Sequence, residues 1–316
     1  MKKVIIVLVI VFLAIVAGFM YWSRGNSAVN KNDKSTKVFV IKKGETVRQI
    51  GNELKQEGLI KDPVTFFIYI KLNGQDKNIQ AGDYRLSPSM NLAKLVDTLN
   101  HGILDHWVTI PEGLRADEIA DLFAKNLPSY NESWRAKLEE NEGYLFPDTY
   151  LIPSDADADQ IISIMKNNFD KRIKDAGISA TGPELANAVI IASIIEKEAK
   201  FSEDFPIVSS VIHNRLEDGM NLQVDPSVAY ALGKQSNGSY WKQELTYDDL
   251  KINSPYNTYA NPGLPPTAIS NPGIEAINAA LNPATTDYLY YISDKEGHIH
   301  AAKTGEQHNA NIKKYL

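Results

Sequence analysis

The sequence predicts an α+β protein: an N-terminal transmembrane helix, a small α/β module, then a mainly helical domain with small sheets. Three observations predict it. An uncharged apolar stretch covers residues 4–22, directly behind Met1-Lys2-Lys3. Two segments, 40–50 and 109–119, share the order strand, glycine turn, amphipathic helix. Past Asp157 apolar residues recur at helical spacing, with short strand patterns such as Tyr288-Leu289-Tyr290-Tyr291-Ile292 at the edge.

The bulk numbers narrow the class. At 316 residues, 43% hydrophobic and 23% charged, the chain suits two globular units plus attachments. A net charge of -6 argues against nucleic acid as the main partner, because phosphate binding needs concentrated Lys and Arg. With 0 Cys, disulfides, thiolate metal sites, a Cys nucleophile and a lipidated N-terminal Cys are excluded.

Residues 1–3 read as a cytoplasmic tail and 4–22 as an uncleaved anchor. A cleaved signal has a shorter apolar core, about 7–15 residues, before a small-residue cleavage site. Here the run is longer and closes on Tyr21-Trp22, residues that favour a membrane interface. Lys2 and Lys3 lie on one side and Arg24, Lys31 and Lys34 on the other, so charge alone does not orient the helix. An N-terminal anchor followed by a large domain favours single-pass insertion in the cell membrane, with the bulk extracytoplasmic.

Residues 23–37 are small and polar and read as a flexible linker. Val38-Phe39-Val40-Ile41 is a short strand, and Val47, Ile50 and Leu54 define a helix after Gly44. Lys61-Asp62-Pro63 starts another helix, residues 82–86 form a strand, and Asn91 caps a helix carrying Leu92, Leu95, Val96 and Leu99. The echo between 40–50 and 109–119 is either a common β-Gly-α unit or a LysM-like opening. LysM modules commonly recognise chains of N-acetylglucosamine, which would make 38–106 a glycan-binding region. Further on, Asp157 opens a helix through Ile161, Ile162 and Met165, and Pro183 sits in the first turn of a central apolar helix. Helices follow over 205–216 and 274–281, and Gly297-His298-Ile299-His300 begins the partner of the 288–292 strand.

The central helix ends in Ala192-Ser193-Ile194-Ile195-Glu196-Lys197-Glu198-Ala199. Glu196 and Glu198 diverge by about 200° on a helix, so they cannot face one cleft. Glu198 has Ile191, Ile194 and Ile195 at helical offsets, which disfavours ionisation and suits a general acid. Glu196 has Ala192 and Ser193 there, and is expected to pair or face solvent. The plainer alternative makes both a solvated helix terminus. Downstream, Asn214, Gln223, Asp225, Tyr256, Asn257 and Tyr259 offer amides, phenols and an aromatic face suited to sugars. Asp225, before Pro226, also reads as a helix cap, and Tyr256 and Asn257 as loop packing. His213, His298, His300 and His308 lack carboxylate partners at zinc-like spacing, so no metal is expected. Phosphate loops, dinucleotide fingerprints and a nucleophile elbow are missing, and no cofactor is expected.

The run 192–199 resembles the signature of the YceG/MltG family of endolytic murein transglycosylases. So do His213-Asn214-Arg215-Leu216, Leu222-Gln223-Val224-Asp225-Pro226, Tyr256-Asn257-Thr258-Tyr259, Gly263-Leu264-Pro265-Pro266 and Asn271-Pro272-Gly273. The resemblance extends over nearly the whole chain and makes 107–316 the catalytic domain. It implies that Glu198, the second Glu of Glu-Lys-Glu, is the catalytic residue. The implied reaction cleaves the β-1,4 bond between N-acetylmuramic acid and N-acetylglucosamine within peptidoglycan strands, leaving 1,6-anhydro ends. One carboxyl would serve as acid and then base, as in substrate-assisted exceptions to the two-carboxylate rule. The resemblance also implies work beside penicillin-binding synthases and the elongation machinery, ending nascent strands. Two other readings stay open: a non-catalytic glycan-binding scaffold of that machinery, and a hydrolysing muramidase.

Overall fold

The computed structural model describes residues 2–76, 78–100, 105–154 and 156–316. Met1 and the side chains of Lys2 and Lys3, the expected cytoplasmic tail, lie outside the described residues. The architecture is mixed α+β, with three two-stranded sheets among helices in the described residues. It divides into two compact units, one made of Met1–His106 and Pro153–Asp155, the other of Trp107–Ile152 and Ala156–Leu316.

The first unit begins with α1 (Lys2–Asn26), whose stretch Val7–Asn26 is long and apolar enough to cross a membrane. Residues 23–26, expected to start a flexible linker, instead complete α1. Gly25 is buried by the close approach of Thr65, whose hydroxyl would lie 2.3 Å from a Cβ placed there. Ser27 accepts a hydrogen bond from Lys61 Nζ at 2.8 Å. Small polar residues here let two elements approach closely, which composition alone reads as slack. After β1 (Lys37–Ile41), Gly44 takes φ +90 and Thr46 caps α2 (Val47–Gln56) in a reciprocal box with Gln49. Asp62 caps α3 (Pro63–Leu72) through the Thr65 N–H. The strand β2 (Gly82–Leu86) pairs antiparallel with β1, from Lys37↔Leu86 to Ile41↔Gly82. Alternation turns Phe39, Ile41, Tyr84 and Leu86 onto a core with Ile50, Leu54 and Phe66, closed by α4 (Leu92–Asn100).

The chain enters the second unit within β3 (Asp105–Thr109), which leads through Gly113 to α5 (Ala116–Asn126) and α6 (Trp134–Glu139). β4 (Thr149–Pro153) pairs with β3, and α7 (Ala158–Asp175) completes a core with Ile110, Phe123, Leu145 and Met165. A second core surrounds α8 (Gly182–Glu198), which packs against α9 (Phe205–Glu217), α10 (Asp225–Leu232) and α11 (Ile274–Leu281). Val189, Ala192, Ile194 and Ile195 are all buried, as a helix apolar on every side requires. The hairpin β5 (Tyr290–Ser293) and β6 (Ile299–Ala302) carries α12 (Gly305–Tyr315).

One buried amide stitches this unit together. Asn271 Oδ1 accepts the N–H groups of Gly143 and Leu145, both at 2.9 Å. Its Nδ2 donates to Leu114 O at 3.0 Å and to Glu142 Oε1 at 2.8 Å. Its own N–H donates to Leu114 O, while its carbonyl accepts from Gly113 N–H. Glu142 is itself buried and receives the Ala116 N–H, so it also satisfies the first turn of α5. Burial pushes the Glu142 carboxyl up to about 8.

Replacing Asn271 by Ala leaves several buried donors and acceptors unpaired. The expected loss is about 3 kcal/mol, read as a lower urea midpoint at unchanged slope. A second expectation concerns pH. A carboxyl whose folded pKa exceeds its unfolded value stabilises the fold below the unfolded value, and that contribution fades as pH rises through the folded one. Stability is therefore expected to decline from about pH 5 to about pH 8, and Glu142→Gln to flatten part of that slope in pH-dependent urea titrations.

Candidate functional site

The site forms where α8 runs out of core. Glu198 is the last helical residue, at the negative end of the helix dipole, where a second negative charge is disfavoured. Its carboxyl is pushed up to about 7, chiefly by burial and then by the nearby Asp225 carboxylate. Hydrogen bonding from Tyr291 and the charge of Arg215 oppose that shift without cancelling it. The side chain still reaches solvent, because two clefts open onto it. One, of about 550 Å³, runs between Arg215, Gln223, Tyr259, Tyr290 and Tyr291. The other, of about 400 Å³, is lined by Lys197, Pro226, Trp241, Lys242 and Gln243. Glu198 and Asp225 line both clefts and stand where they meet.

Loop stitching brings the other residues to this point. Gln223 adopts φ 50, alone among the described non-glycine residues in taking a positive φ. Its N–H donates to Thr258 O at 3.1 Å, and Val224 N–H donates to Thr258 Oγ1 at 3.0 Å. Asp225 lies in the first turn of α10, yet its carboxylate does not cap that helix. It accepts the Tyr259 hydroxyl at 2.5 Å and faces the clefts. Arg215 braces the wall, donating to Leu289 O and Leu222 O, both at 2.6 Å. Its guanidinium stacks over the Tyr290 ring, 5.3 Å from the centroid.

Of the residues singled out in the sequence, the structure brings Glu198, Gln223, Asp225 and Tyr259 together. Asn214, Tyr256 and Asn257 line neither cleft. Asn214 Nδ2 donates to the carbonyls of Thr286 and Tyr288, holding the approach to β5. Asn257 is fully buried, with Nδ2 on Leu250 O and Ile252 O and Oδ1 on Tyr259 N–H. Tyr256 packs on Tyr230 and bonds Thr267 Oγ1 at 2.7 Å. Tyr256 and Asn257 shape the loop that presents Tyr259, while Asn214 holds the segment leading to β5. Their polarity marked the loop, but solvation of buried backbone demands the same residue types as sugar binding does.

Glu196 departs from the open, polar surround expected for it. Its carboxylate accepts the Gly273 N–H at 3.1 Å and is also pushed up to about 7, first by burial and also by Glu112. It lines neither cleft, so access rather than acidity separates the two glutamates. Lys197 turns to a third direction, donating to Gly113 O at 3.2 Å with Nζ over Trp241, 4.1 Å from the centroid.

Sequence reasoning missed Tyr291, Arg215, Lys197 and Trp241. Tyr291 lies inside an expected strand, and Arg215 and Lys197 lie inside quoted motifs, so all three were within reach of it. Trp241 lies in an aperiodic stretch and left no signal. The histidines disperse. His213 bonds Ala280 O, His298 stacks on Phe201, His300 pairs with Asp294, and His308 borders the larger cleft. Among the described residues no group of three or more His, Asp or Glu is placed to hold a metal ion.

Comparison with known proteins follows this geometry. The chain is 33% identical to an endolytic murein transglycosylase of Bacillus subtilis (strain 168), over 96% of this chain and 91% of that one. It is 28% identical to an endolytic murein transglycosylase of Streptococcus pneumoniae serotype 2, over 99% of this chain but 65% of that longer protein. A crystal structure of a YceG-like protein from Listeria monocytogenes superposes with a TM-score of 0.55 at 32% identity, covering 88% of this chain and 99% of that one. With the YceG-like family matched over residues 39–314, the chain belongs to that family.

Proposed function

We propose that this protein is a membrane-anchored murein transglycosylase that cuts peptidoglycan glycan strands internally, with Glu198 as its single acid and base. The observation that carries the reading is the position of Glu198 at the junction of two clefts, with a carboxyl pushed up to about 7. The named relatives, one of them matched over nearly its full length, support the substrate class.

A glycan strand lying through both clefts places a glycosidic bond over Glu198. The protonated carboxyl donates to the departing oxygen of the N-acetylglucosamine unit. The carboxylate then takes the proton from the muramyl 6-hydroxyl, whose oxygen closes on the anomeric carbon and leaves a 1,6-anhydro end. Each proton that leaves Glu198 is returned, and water enters no step. A group that cycles between both forms works best with a pKa near ambient pH. Tyr291 steadies the ionised form by hydrogen bonding, and Asp225 favours the protonated one by its charge. Gln223 and Tyr259 bind acetamido groups and a ring face on one side, and Trp241 offers a pyranose platform on the other. Asn214, Tyr256 and Asn257 contribute by holding those loops.

The β1–Gly44–α2 opening of the first unit supports the LysM-like reading, in which residues 38–106 hold glycan. α1 serves as the single-pass anchor, with its N-terminus cytoplasmic and both units outside. Penicillin-binding synthases are the partners, and cutting near them terminates nascent strands.

Glu198→Gln is expected to abolish release of anhydro-muropeptides from purified sacculi, by about a thousandfold or more, while Glu196→Gln keeps substantial activity. Mass spectrometry of the products decides. Reducing ends would mean a hydrolysing muramidase, and parental rates in Glu198→Gln would remove the assignment.

The acid step needs the protonated carboxyl, so kcat/KM is expected to fall about tenfold per pH unit above the Glu198 pKa. Asp225→Asn removes a charge that raises this pKa and should move the alkaline limb to lower pH. A limb that stays in place would place the titrating group elsewhere.

A further inference from the structure

The helix α3 is apolar on a face that has little protein against it among the described residues. Phe66 and Ile70 point into the first unit's core and are fully buried. Val64, Ile68 and Leu72, at i, i+4 and i+8, form a separate stripe that is 53%, 39% and 74% exposed. A helix apolar on both its inner and outer faces belongs in a core or against lipid, and an apolar segment of about ten residues is too short to span.

The place of α3 beside α1 decides between these. Tyr21 at the end of the apolar stretch donates to Asp62, the α3 cap, at 2.7 Å. Trp22 stacks on Tyr69 with ring centroids 6.4 Å apart. Gly25 lets Thr65 approach so closely that no side chain would fit between them. Asp62, Thr65 and Tyr69 form one face of α3, and Val64, Ile68 and Leu72 form the adjoining face. The stripe therefore continues from the very turns of α1 where Tyr21 and Trp22 mark the membrane–water boundary.

We infer that α3 is a second membrane contact, an interfacial helix that sinks Val64, Ile68 and Leu72 into the headgroup–acyl boundary beside α1. The inference rests on reading α1 as a membrane anchor. Lys61, which bonds the neutral Ser27 Oγ, precedes the stripe and supplies a positive charge that suits anionic headgroups, while the charge of Lys71 is matched by Asp76. With α1 alone the first unit would hang from one helix end. With α3 embedded, its orientation to the bilayer is fixed at two places.

The lack of native Cys makes the test direct. Full-length protein carrying Leu72→Cys, Ile68→Cys, Lys55→Cys or Phe12→Cys is labelled with an environment-sensitive fluorophore. Each is reconstituted in vesicles of phosphatidylethanolamine and phosphatidylglycerol holding spin-labelled lipids with shallow or deep quenchers. Lys55, exposed on α2 and not part of the stripe, is the aqueous reference. The Leu72 and Ile68 probes should lose emission with the shallow quencher more than with the deep one, and the Phe12 probe the reverse. If Phe12 is quenched while Leu72 and Ile68 match Lys55, α3 lies in water and the inference falls with the anchor intact. If Phe12 escapes quenching, the anchor reading itself fails and takes the inference with it.

Discussion

An apolar helix buried along its length must end somewhere, and the polar groups at that end must be accommodated. α8 is the central case here. Its sides are closed by α9, α10 and α11, and its last turn carries Glu196, Lys197 and Glu198 in three directions. Glu196 is received by the Gly273 N–H and Lys197 by the Gly113 carbonyl. Both receiving groups are held by Asn271, which pairs with Gly113 and Leu114 and precedes Pro272-Gly273 in sequence. Glu198 receives no such backbone partner and is left to the clefts. The residue proposed as the acid thus stands at the one polar direction of the helix end that takes no backbone partner among the described residues, with the Tyr291 side chain beside it.

Much of this was legible in the sequence because it follows from periodicity. The two-residue offset sends the two glutamates to opposite sides of α8, and their partners, Gly273 and the Asp225–Tyr291 pocket, do lie apart. Strand alternation and capping residues located β1, α2, α3 and β5 close to their observed bounds. The resemblance located the loops, and two of those loops meet at Glu198 because Thr258 binds both Gln223 and Val224.

What could not be read is equally physical. The local aliphatic neighbours of Glu198 suggested a pKa difference between the glutamates, yet both are pushed up to about 7. Burial is set by what packs across from a side chain, here α11 and the hairpin, and not by residues on its own helix. Glu142 gave no sign either, since a Glu before an aromatic turn looks solvated until Asn271 and Ala116 are seen to enclose it. α12 escaped because none of its residues is buried, so it has no apolar stripe to betray it. Its trace in the sequence was the Thr304 to Gln307 cap alone.

A raised carboxyl pKa therefore marks burial first and chemistry second. Glu142, Glu196 and Glu198 all carry it, and a survey of titration behaviour would rank Glu142 highest. Glu142 is 6% exposed and enclosed by donors that fix its orientation, so any proton it holds serves the fold. Glu196 is tied to one backbone N–H and lies outside both clefts. Of the three, Glu198 alone joins a displaced titration to a place on two clefts, and that is the geometry the internal cut proposed above would use. A strand must enter on one side and leave on the other, with the acid in between. An end-acting site would close one side, whereas the proposed internal cut uses both clefts that share Glu198 and Asp225.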